Sequence, residues 1–120
     1  MMLFDPQIMT GLESYLDVAA RRQTLIASNM ANIDTPGYQT QDLDFSQALN
    51  DAESGLDPAA AQHAVGGLLA RPDGNNVNLD RESLLMAQTQ LQYSTGISLL
   101  REEFHRLNMA INGGSGGSTS

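Results

Sequence analysis

The sequence predicts an all-α protein whose long N- and C-terminal helices form an elongated antiparallel coiled-coil-like hairpin, with a largely irregular middle segment. Apolar residues recur every three or four positions in the first and last parts of the chain, as in a coiled-coil seam. The middle has no sustained period and collects residues that break helices. The 120 residues include three Phe, three Tyr and no Trp, so burial against partners is favoured over a deep core.

The N-terminal coiled-coil helix is assigned to residues 1–33. It begins at Asp5-Pro6, because Asp is a preferred N-cap and Pro suits the first helical position. Arg22 fills the one polar step in its apolar row. The row consists of Ile8, Leu12, Tyr15, Ala19, Ile26, Met30 and Ile33. The members assigned to an assembly seam are Leu12, Tyr15, Ala19, Ile26 and Met30.

The first helix ends in the run Ser28-Asn29-Met30-Ala31-Asn32-Ile33-Asp34-Thr35-Pro36-Gly37-Tyr38. Asn32 suits the left-handed position that closes a helix. Pro36 cannot continue the helix, and Gly37 permits the positive φ of a tight turn. Physics alone leaves open whether this run is more than a helix stop.

The middle segment, residues 34–77, combines the turn motif with an acidic, irregular stretch. It carries most of the net charge of −8, which we interpret as a solvated surface. Asp44 is expected to cap a short helix through Asn50, and residues 59–64 are expected to add a further helical turn. We expect this segment to be mobile in the isolated protein.

The C-terminal coiled-coil helix is assigned to residues 78–112, with Asn78 or Asp80 as its cap. Gly96 lies inside it, either tolerated or allowing close approach of a neighbour. Its row runs through Met86, Gln90, Tyr93, Ile97, Leu100, Phe104, Leu107 and Ile111, and from Tyr93 onward its apolar members complete the assembly seam. Residues 113–120 have the composition of a flexible Gly/Ser tail.

Several apolar residues lie off these two rows. Val18 and Leu25 fall a quarter turn from the first row, and Leu84, Leu91 and Met109 fall nearly opposite Phe104. A lone two-helix hairpin would leave them in water, whereas helices that are apolar on more than one side are usually buried in a larger body. We therefore expect these five residues to contact other subunits.

The run that ends the first helix resembles the N-terminal motif of the flagellar axial proteins, the family of rod, hook and hook-associated subunits. The motif residues are Ser28, Asn29, Ala31, Asn32, Thr35, Pro36, Gly37 and Tyr38. The segments Leu43-Asp44-Phe45, Asp73–Glu82 and Gln90-Leu91-Gln92-Tyr93 extend the resemblance and narrow it to a short proximal-rod subunit.

The resemblance implies a structural subunit of the bacterial flagellar basal-body rod, which forms the drive shaft and the export-channel wall. Its implied partners are other rod proteins (the FlgC type and the distal rod), the FliE adaptor and the flagellar type III export apparatus, in a homo- and hetero-oligomeric helical assembly. The implied location is the periplasmic rod, reached by export without a cleaved signal peptide. The N-terminus also lacks the basic and apolar regions of a secretory signal.

Composition and spacing argue against several other classes. The absence of Cys excludes disulfides and thiolate metal sites, and the lack of a basic stripe disfavours nucleic-acid binding. No cofactor, metal site, catalytic site or membrane insertion is expected. His63 and His105 have no ligand spacing, and Glu102-Glu103 is interpreted as a solvated helix face.

Three rival interpretations stay open. In the first, the chain is another short rod subunit of the FlgC type. In the second, it is a cytoplasmic helical adaptor or export chaperone that binds partner helices through Phe104. In the third, it is a small hydrolase that uses Asp42 and Asp44 as paired carboxylates. Mapping the position of this subunit along the rod tests the first interpretation, and cell fractionation tests the second. The third predicts that changing both Asp42 and Asp44 to Asn abolishes function while assembly stays intact.

Overall fold

The computed structural model describes residues 5–114 and is mostly helical. In chain order its elements are helix α1 (Pro6–Ala31), strand β1 (Gln41–Leu43), helix α2 (Phe45–Glu53), a 3₁₀ helix (Pro58–Ala61), strand β2 (Gln62–Ala64) and helix α3 (Leu79–Gly114). The prediction of long N- and C-terminal helices is confirmed. The predicted tail lies outside the described residues, except for Gly113 and Gly114, with which α3 ends.

Both ends of α1 follow from side chains that bond the free backbone groups of a helix terminus. Asp5 caps the start, since its carboxylate accepts a hydrogen bond from Gln7 N at 2.9 Å. The end differs from the prediction, because Asn32 has φ −100° and not a left-handed conformation. Instead, its side-chain Nδ2 donates to Ser28 O at 2.8 Å and so closes the last turn of the helix.

The two long helices pack against each other and run in opposite directions. Asn29 near the end of α1 bonds Glu82 at the start of α3, and Leu16 lies against Gly96 in the middle of α3. The molecule measures 70 × 25 × 17 Å, with a radius of gyration of 19.3 Å. A compact chain of this length has a radius of gyration of about 14 Å, so this one is strongly elongated.

A small two-stranded sheet makes the all-α prediction wrong in one respect. β1 and β2 pair antiparallel, with Asp42 opposite His63. α2 lies between the strands in the chain, and the Asp44 cap is confirmed, since its side chain accepts from Gln47 N at 3.1 Å. Residues 41–64 are therefore less irregular than expected, and the predicted turn of helix over 59–64 becomes a 3₁₀ helix followed by a strand.

The main apolar cluster lies where α2 and the sheet cover one side of α1. It joins Val18, Leu43, Ala48 and Ala61, with Leu25 packed against it. Val18 is 0% exposed, so the expectation that it and Leu25 face another subunit is wrong. The middle segment covers the side of α1 that a bare two-helix hairpin would leave in water.

The face of α3 that lies against α1 is centred on small and polar residues rather than on the predicted apolar row. The buried residues repeat every seven positions: Glu82, Thr89, Gly96 and Glu103. By contrast, Phe104 is 51% exposed and Ile111 is 58% exposed. The expectation that Glu103 lies on a solvated face is therefore wrong.

Gly96 explains much of why α3 turns this row of residues, and not the predicted apolar row, toward α1. A Cβ atom at this position would lie 2.6 Å from Leu16 Cδ2 and 3.2 Å from Tyr15 Cδ1. Because glycine has no side chain, α1 can approach α3 closely along this line. Of the two alternatives for Gly96, the structure supports close approach of a neighbour rather than mere tolerance. The apolar row then lies beside the contact, with Tyr93, Leu100 and Leu107 half-buried.

Within residues 5–114, no helix has a stretch long and apolar enough to cross a lipid bilayer.

Candidate functional site

Asn29 is the centre of a polar junction between α1, β1 and α3. Its Nδ2 donates to Glu82 Oε1 at 2.7 Å and to Gln41 O at 2.8 Å. Its Oδ1 accepts from Tyr38 OH at 2.9 Å and from Gln41 N at 3.0 Å. The side chain is 0% exposed, and it uses every hydrogen-bonding position that an amide offers. One residue of the motif thereby holds three segments of the chain together.

Ion pairs extend this junction from Glu82 to the middle of α1. Arg81 Nη1 donates to Glu82 Oε2 at 2.7 Å, and Arg81 Nη2 lies 3.6 Å from Asp42 Oδ2. Arg22 grips the same Asp42 carboxylate through two bonds of 2.9 Å. Such bidentate, partly buried pairs are stronger and more directional than single surface pairs.

The environment of Asp42 stabilises its charged form. Burial raises the pKa of this carboxyl, but hydrogen bonds from Arg22 and from Leu43 N, with the charges of Arg22 and Arg81, outweigh burial and hold its pKa below the ordinary value. Asp44 is separately engaged as the cap of α2. Both carboxylates of the hydrolase interpretation are thus engaged by structural partners.

The Thr35-Pro36-Gly37-Tyr38 turn forms as predicted. Tyr38 N donates to Thr35 O at 3.2 Å, and Gly37 has φ +75°. This positive φ at the third position defines a type II turn and strains any residue with a Cβ atom.

The segment that precedes α3 holds this turn in place. Asn75 is fully buried, and its Nδ2 donates to both Asn32 O and Thr35 O at 2.8 Å. Gly37 N donates to Asp73 O at 2.8 Å, and Arg71 bonds Ile33 O. The helix end and the turn therefore depend on side chains about 40 residues further along the chain.

The side-chain amide of Asn76 extends these contacts toward β1. Asn76 Oδ1 accepts from Thr40 N at 2.7 Å, and its Nδ2 donates to Gln39 Oε1 at 3.0 Å. A Cβ atom on Gly74 would meet Gly37 Cα at 3.4 Å, so the two loops approach closely where both carry glycine. The motif and the segment Asp73–Glu82, which are distant in sequence, form one structural unit.

The remaining motif residues lie at the surface of this unit. Ser28, Ala31, Thr35 and Pro36 are exposed, and Tyr38 is half-buried with its hydroxyl on Asn29. Pro36 and Gly37 shape the backbone of the turn, whereas Asn29 and Asn32 act through their amides. Ser28 contributes its backbone oxygen, which accepts the hydrogen bond from Asn32 Nδ2.

The predicted seam residues of α1 lie on the face it turns toward α3 and α2. Ala19 and Ile26 are buried, whereas Leu12 and Met30 are half-buried. Tyr15 packs edge-on against Phe45 of α2, with ring centroids 5.3 Å apart. The α1 half of the predicted seam is thus largely covered within this chain.

On α3, by contrast, several of the predicted contact residues remain exposed. Leu84 and Leu91 are 61% and 69% exposed, Met109 is also exposed, and Ile97 is half-buried beside the exposed Phe104 and Ile111. No charged residue occurs between positions 83 and 100. Together these features give α3 several exposed apolar residues and an uncharged stretch over residues 83–100, a combination typical of a protein-interaction face.

Sequence reasoning missed the side chains that fasten the junction. Arg22 was noted only as a polar step, Asp42 only as a weak catalytic candidate, and no role was expected for Arg81. The signal for Asn75 and Glu82 was present, because both lie in the segment Asp73–Glu82 that extended the family resemblance. Their roles require contacts over 40 to 53 residues of sequence, which a local pattern does not contain.

Comparison with known proteins places this architecture in a family. The model for the flagella basal body rod protein family matches residues 16–39, the part of α1 and the turn that includes Asn29 and Gly37. The flagellar basal body rod protein FlgB of Escherichia coli is 32% identical over 123 residues, covering 83% of this chain and 89% of that protein. FlgB of Bacillus subtilis is 30% identical over 129 residues, covering 95% and 99% respectively.

FlgB of Salmonella typhimurium is 30% identical over 123 residues, with coverage of 83% of this chain and 89% of that protein. These alignments cover far more of the chain than the motif does. They confirm the predicted resemblance to a short rod subunit. The chain belongs to the FlgB family of flagellar basal body rod proteins.

Proposed function

We propose that this chain builds the proximal part of the flagellar rod, where its helices self- and co-assemble into the drive shaft and the wall of the export channel. As a member of the FlgB family it is a structural subunit of the basal-body rod and not an enzyme. It acts in the basal body, together with other components of the rod.

One observation carries the proposal: in this elongated chain, most of the exposed large apolar side chains lie along a single helix, α3. Leu91 and Phe104 on α3 are each more than half exposed. The buried junction around Asn29 fastens the start of α3 to α1, so the exposed surface of α3 sits on a defined scaffold. Surfaces of this kind on an elongated subunit are suited to lateral packing in a larger assembly.

The geometry supports a division of labour between the parts of the chain. We propose that α1 and α3 act as a coiled-coil-like hairpin, with Leu12, Tyr15, Ala19, Ile26 and Met30 holding the subunit together. In this proposal the exposed α3 residues contact other subunits, and the compact middle segment contacts neighbours from its own side. The neighbours proposed from the family resemblance are FliE, rod subunits of the FlgC type and the distal rod.

The proposed location is the periplasmic rod, reached through the type III export apparatus without a cleaved signal peptide. The subunit would then fold as it is incorporated. Its exposed apolar side chains support folding during incorporation, since contacts with neighbouring subunits would cover them.

The first test is electron cryotomography of basal bodies in cells that lack this gene. We expect the membrane ring and export gate without a rod, and a complete rod when the chain is supplied again. A complete rod in the deletion strain, with the chain found in the cytoplasmic fraction, would favour the adaptor interpretation. A rod that stops above the first subunits would favour the FlgC type.

A paired substitution tests whether the exposed α3 surface carries the function. Phe104→Asp should abolish swimming, because it places an unpaired charge at a subunit contact. Ser94→Asp introduces the same charge at another exposed position of α3 and should preserve swimming. Normal swimming with Phe104→Asp at normal protein levels would contradict the proposed role of this surface.

A further inference from the structure

An apolar groove lies where the start of α1 meets the end of α2 and the middle of α3. α2 ends at Glu53, whose Oε1 would lie 4.0 Å from a Cβ atom on Gly11. Since α1 begins at Pro6, its first turn extends past the end of α2. The groove has a volume of about 380 Å³. We call it the Leu99 groove, and its apolar lining comprises Ile8, Leu12, Tyr15, Leu49 and Leu99.

The Leu99 groove leaves large apolar side chains of both long helices uncovered. Ile8 of α1 is 47% exposed, and Leu99 of α3 is 46% exposed. Both side chains belong to the lining, so a single occupant of the groove would cover them together. Exposed apolar residues gathered in a concave site are typical of a binding groove.

A buried carboxylate oxygen at the same place lacks a hydrogen-bond partner. Ile8 and Leu99 also line an adjoining cavity of about 140 Å³, together with Glu103. Glu103 is 3% exposed, and its Oε1 accepts from Arg106 Nη1 at 3.0 Å. Its Oε2 has no hydrogen-bond partner among the described residues. Because buried polar atoms normally find a partner, the occupant should bring N–H donors as well as apolar side chains, as a peptide segment does.

The chain itself supplies such a segment next to the groove. Residues 1–4 precede the described part of the chain, and their sequence Met1-Met2-Leu3-Phe4 is entirely apolar and uncharged. They join α1 at Asp5, whose extended backbone (φ −119°, ψ 112°) takes the chain off the helix axis. Four residues reach about 13 Å, whereas Leu12 lies only about 10 Å along α1 from Asp5. The segment is therefore long enough to run along most of the groove.

The capping pattern of α1 directs this segment back toward the groove. Asp5 is the N-cap, so Phe4 precedes the cap and Met9 is the fourth helical residue. Apolar residues at these two positions commonly pack on each other and fold the incoming chain over the first turn. Met9 is buried next to Ile8, at the α1 end of the groove. A second copy of the chain fits less well, because its net charge of −8 would approach the carboxylates of Glu53 and Glu103.

We propose that residues 1–4 fold back along α1 and fill the Leu99 groove of the same molecule. Phe4 then packs at the Ile8 end, where the segment brings backbone N–H groups next to Glu103. Residues 1–3 continue over Leu99 toward Leu49. In this arrangement the segment extends the line of α2 along α1, so the start of α1 belongs to the core of the subunit and is not a contact for neighbours.

Fluorescence of a single introduced tryptophan tests this arrangement. The chain has no Trp, so Phe4→Trp reports only on the proposed segment. In the full-length chain at micromolar concentration, we expect a blue-shifted emission that is protected from acrylamide quenching. Adding Leu99→Lys should weaken docking by at least about tenfold, because docking would bury the lysine charge, and should shift the emission to that of an exposed indole.

Two further variants make the result specific to the groove. Leu91→Lys places the same charge at a 69% exposed position of α3 outside the groove and should leave the emission unchanged. Gly11→Leu fills the groove from its floor and should also release the segment, while its higher helix propensity preserves the fold if Leu99→Lys does not. Circular dichroism checks the helix content of each variant.

Three outcomes would overturn the proposal. An exposed indole in Phe4→Trp alone would leave the groove open for another protein. Protection that survives both Leu99→Lys and Gly11→Leu would mean that the segment packs elsewhere. Protection that disappears on dilution would show that the segment occupies the groove of a second copy.

Discussion

The junction around Asn29 and the surface around Phe104 differ in which kind of side chain they bury. At the junction, the amide of Asn29 is buried, and each of its hydrogen-bonding positions finds a partner within the chain. On α3, large apolar groups remain exposed. Buried polar networks define one geometry because unpaired alternatives cost free energy, whereas apolar contacts accept many partners. The comparison teaches that the network which specifies the fold and the surface proposed for assembly lie in different parts of this subunit.

Among the variants, a substitution at the Asn29 junction has the largest expected effect on stability. Asn29→Leu removes four hydrogen bonds and leaves groups of Glu82, Tyr38 and Gln41 buried without partners. We expect a loss of roughly 3–5 kcal/mol in the free energy of unfolding, measured by urea denaturation. Asn50→Ala changes an exposed amide and should cost under about 0.5 kcal/mol. Equal losses for both variants would mean that the junction does not determine the fold.

Asp42 should give the next largest effect and a dependence on pH. Asp42→Asn weakens the bidentate pair with Arg22 and should cost roughly 1–3 kcal/mol at neutral pH. Because the pKa of Asp42 is lowered in the folded state, its stabilisation is present above about pH 4 and is lost as the pH falls further.

Urea denaturation at a series of pH values measures this dependence. The difference in stability between the unmodified chain and Asp42→Asn should shrink below about pH 4, as the carboxyl is protonated. Asp17→Asn alters an exposed pair and serves as the control. A difference that stays constant into acid would show that the charge of Asp42 contributes nothing.

Two glycines in the long helices, Gly11 and Gly96, form a matched pair that tests how tightly α1 and α3 pack. An added Cβ on Gly11 meets only Glu53 Oε1 at 4.0 Å, whereas one on Gly96 meets Leu16 Cδ2 at 2.6 Å. Both Ala variants gain up to about 1 kcal/mol of helix propensity. Gly11→Ala should therefore be stabilising, while overpacking should make Gly96→Ala destabilising by roughly 0.5–2 kcal/mol. Thermal unfolding of the pair measures the difference, and equal shifts would rule out a tight contact at Gly96.

The smallest effect on stability is expected at the assembly surface. Phe104 is about half exposed, so Phe104→Asp should change the free energy of unfolding of the monomer by less than about 1 kcal/mol. The same substitution is expected to abolish swimming. A large loss of monomer stability would mean that Phe104 belongs to the core, and the contrast between the two regions would then fail.

Local features of the fold could be predicted because each depends on neighbouring residues. Asp5 and Asp44 cap helices through backbone groups two or three residues away, and Gly37 supplies the positive φ of its turn. Asn32 shows the limit of such rules, since a side-chain bond to Ser28 O replaced the expected left-handed closure. The exposed Leu84 and Leu91 were also identified from periodicity, because their distance around the helix from Phe104 follows from sequence spacing alone.

The sequence by itself determined two long helices, their caps, the turn and the family of the chain. Only the tertiary structure decided which of two overlapping heptad rows on α3 meets α1. Periodicity favours the row through Phe104, but the row through Gly96 is buried, because Leu16 needs the space of a missing side chain and Glu82 bonds Asn29. Those constraints join residues 53 to 80 positions apart. For the same reason, the sheet between β1 and β2 and the burial of Val18 were decided by packing.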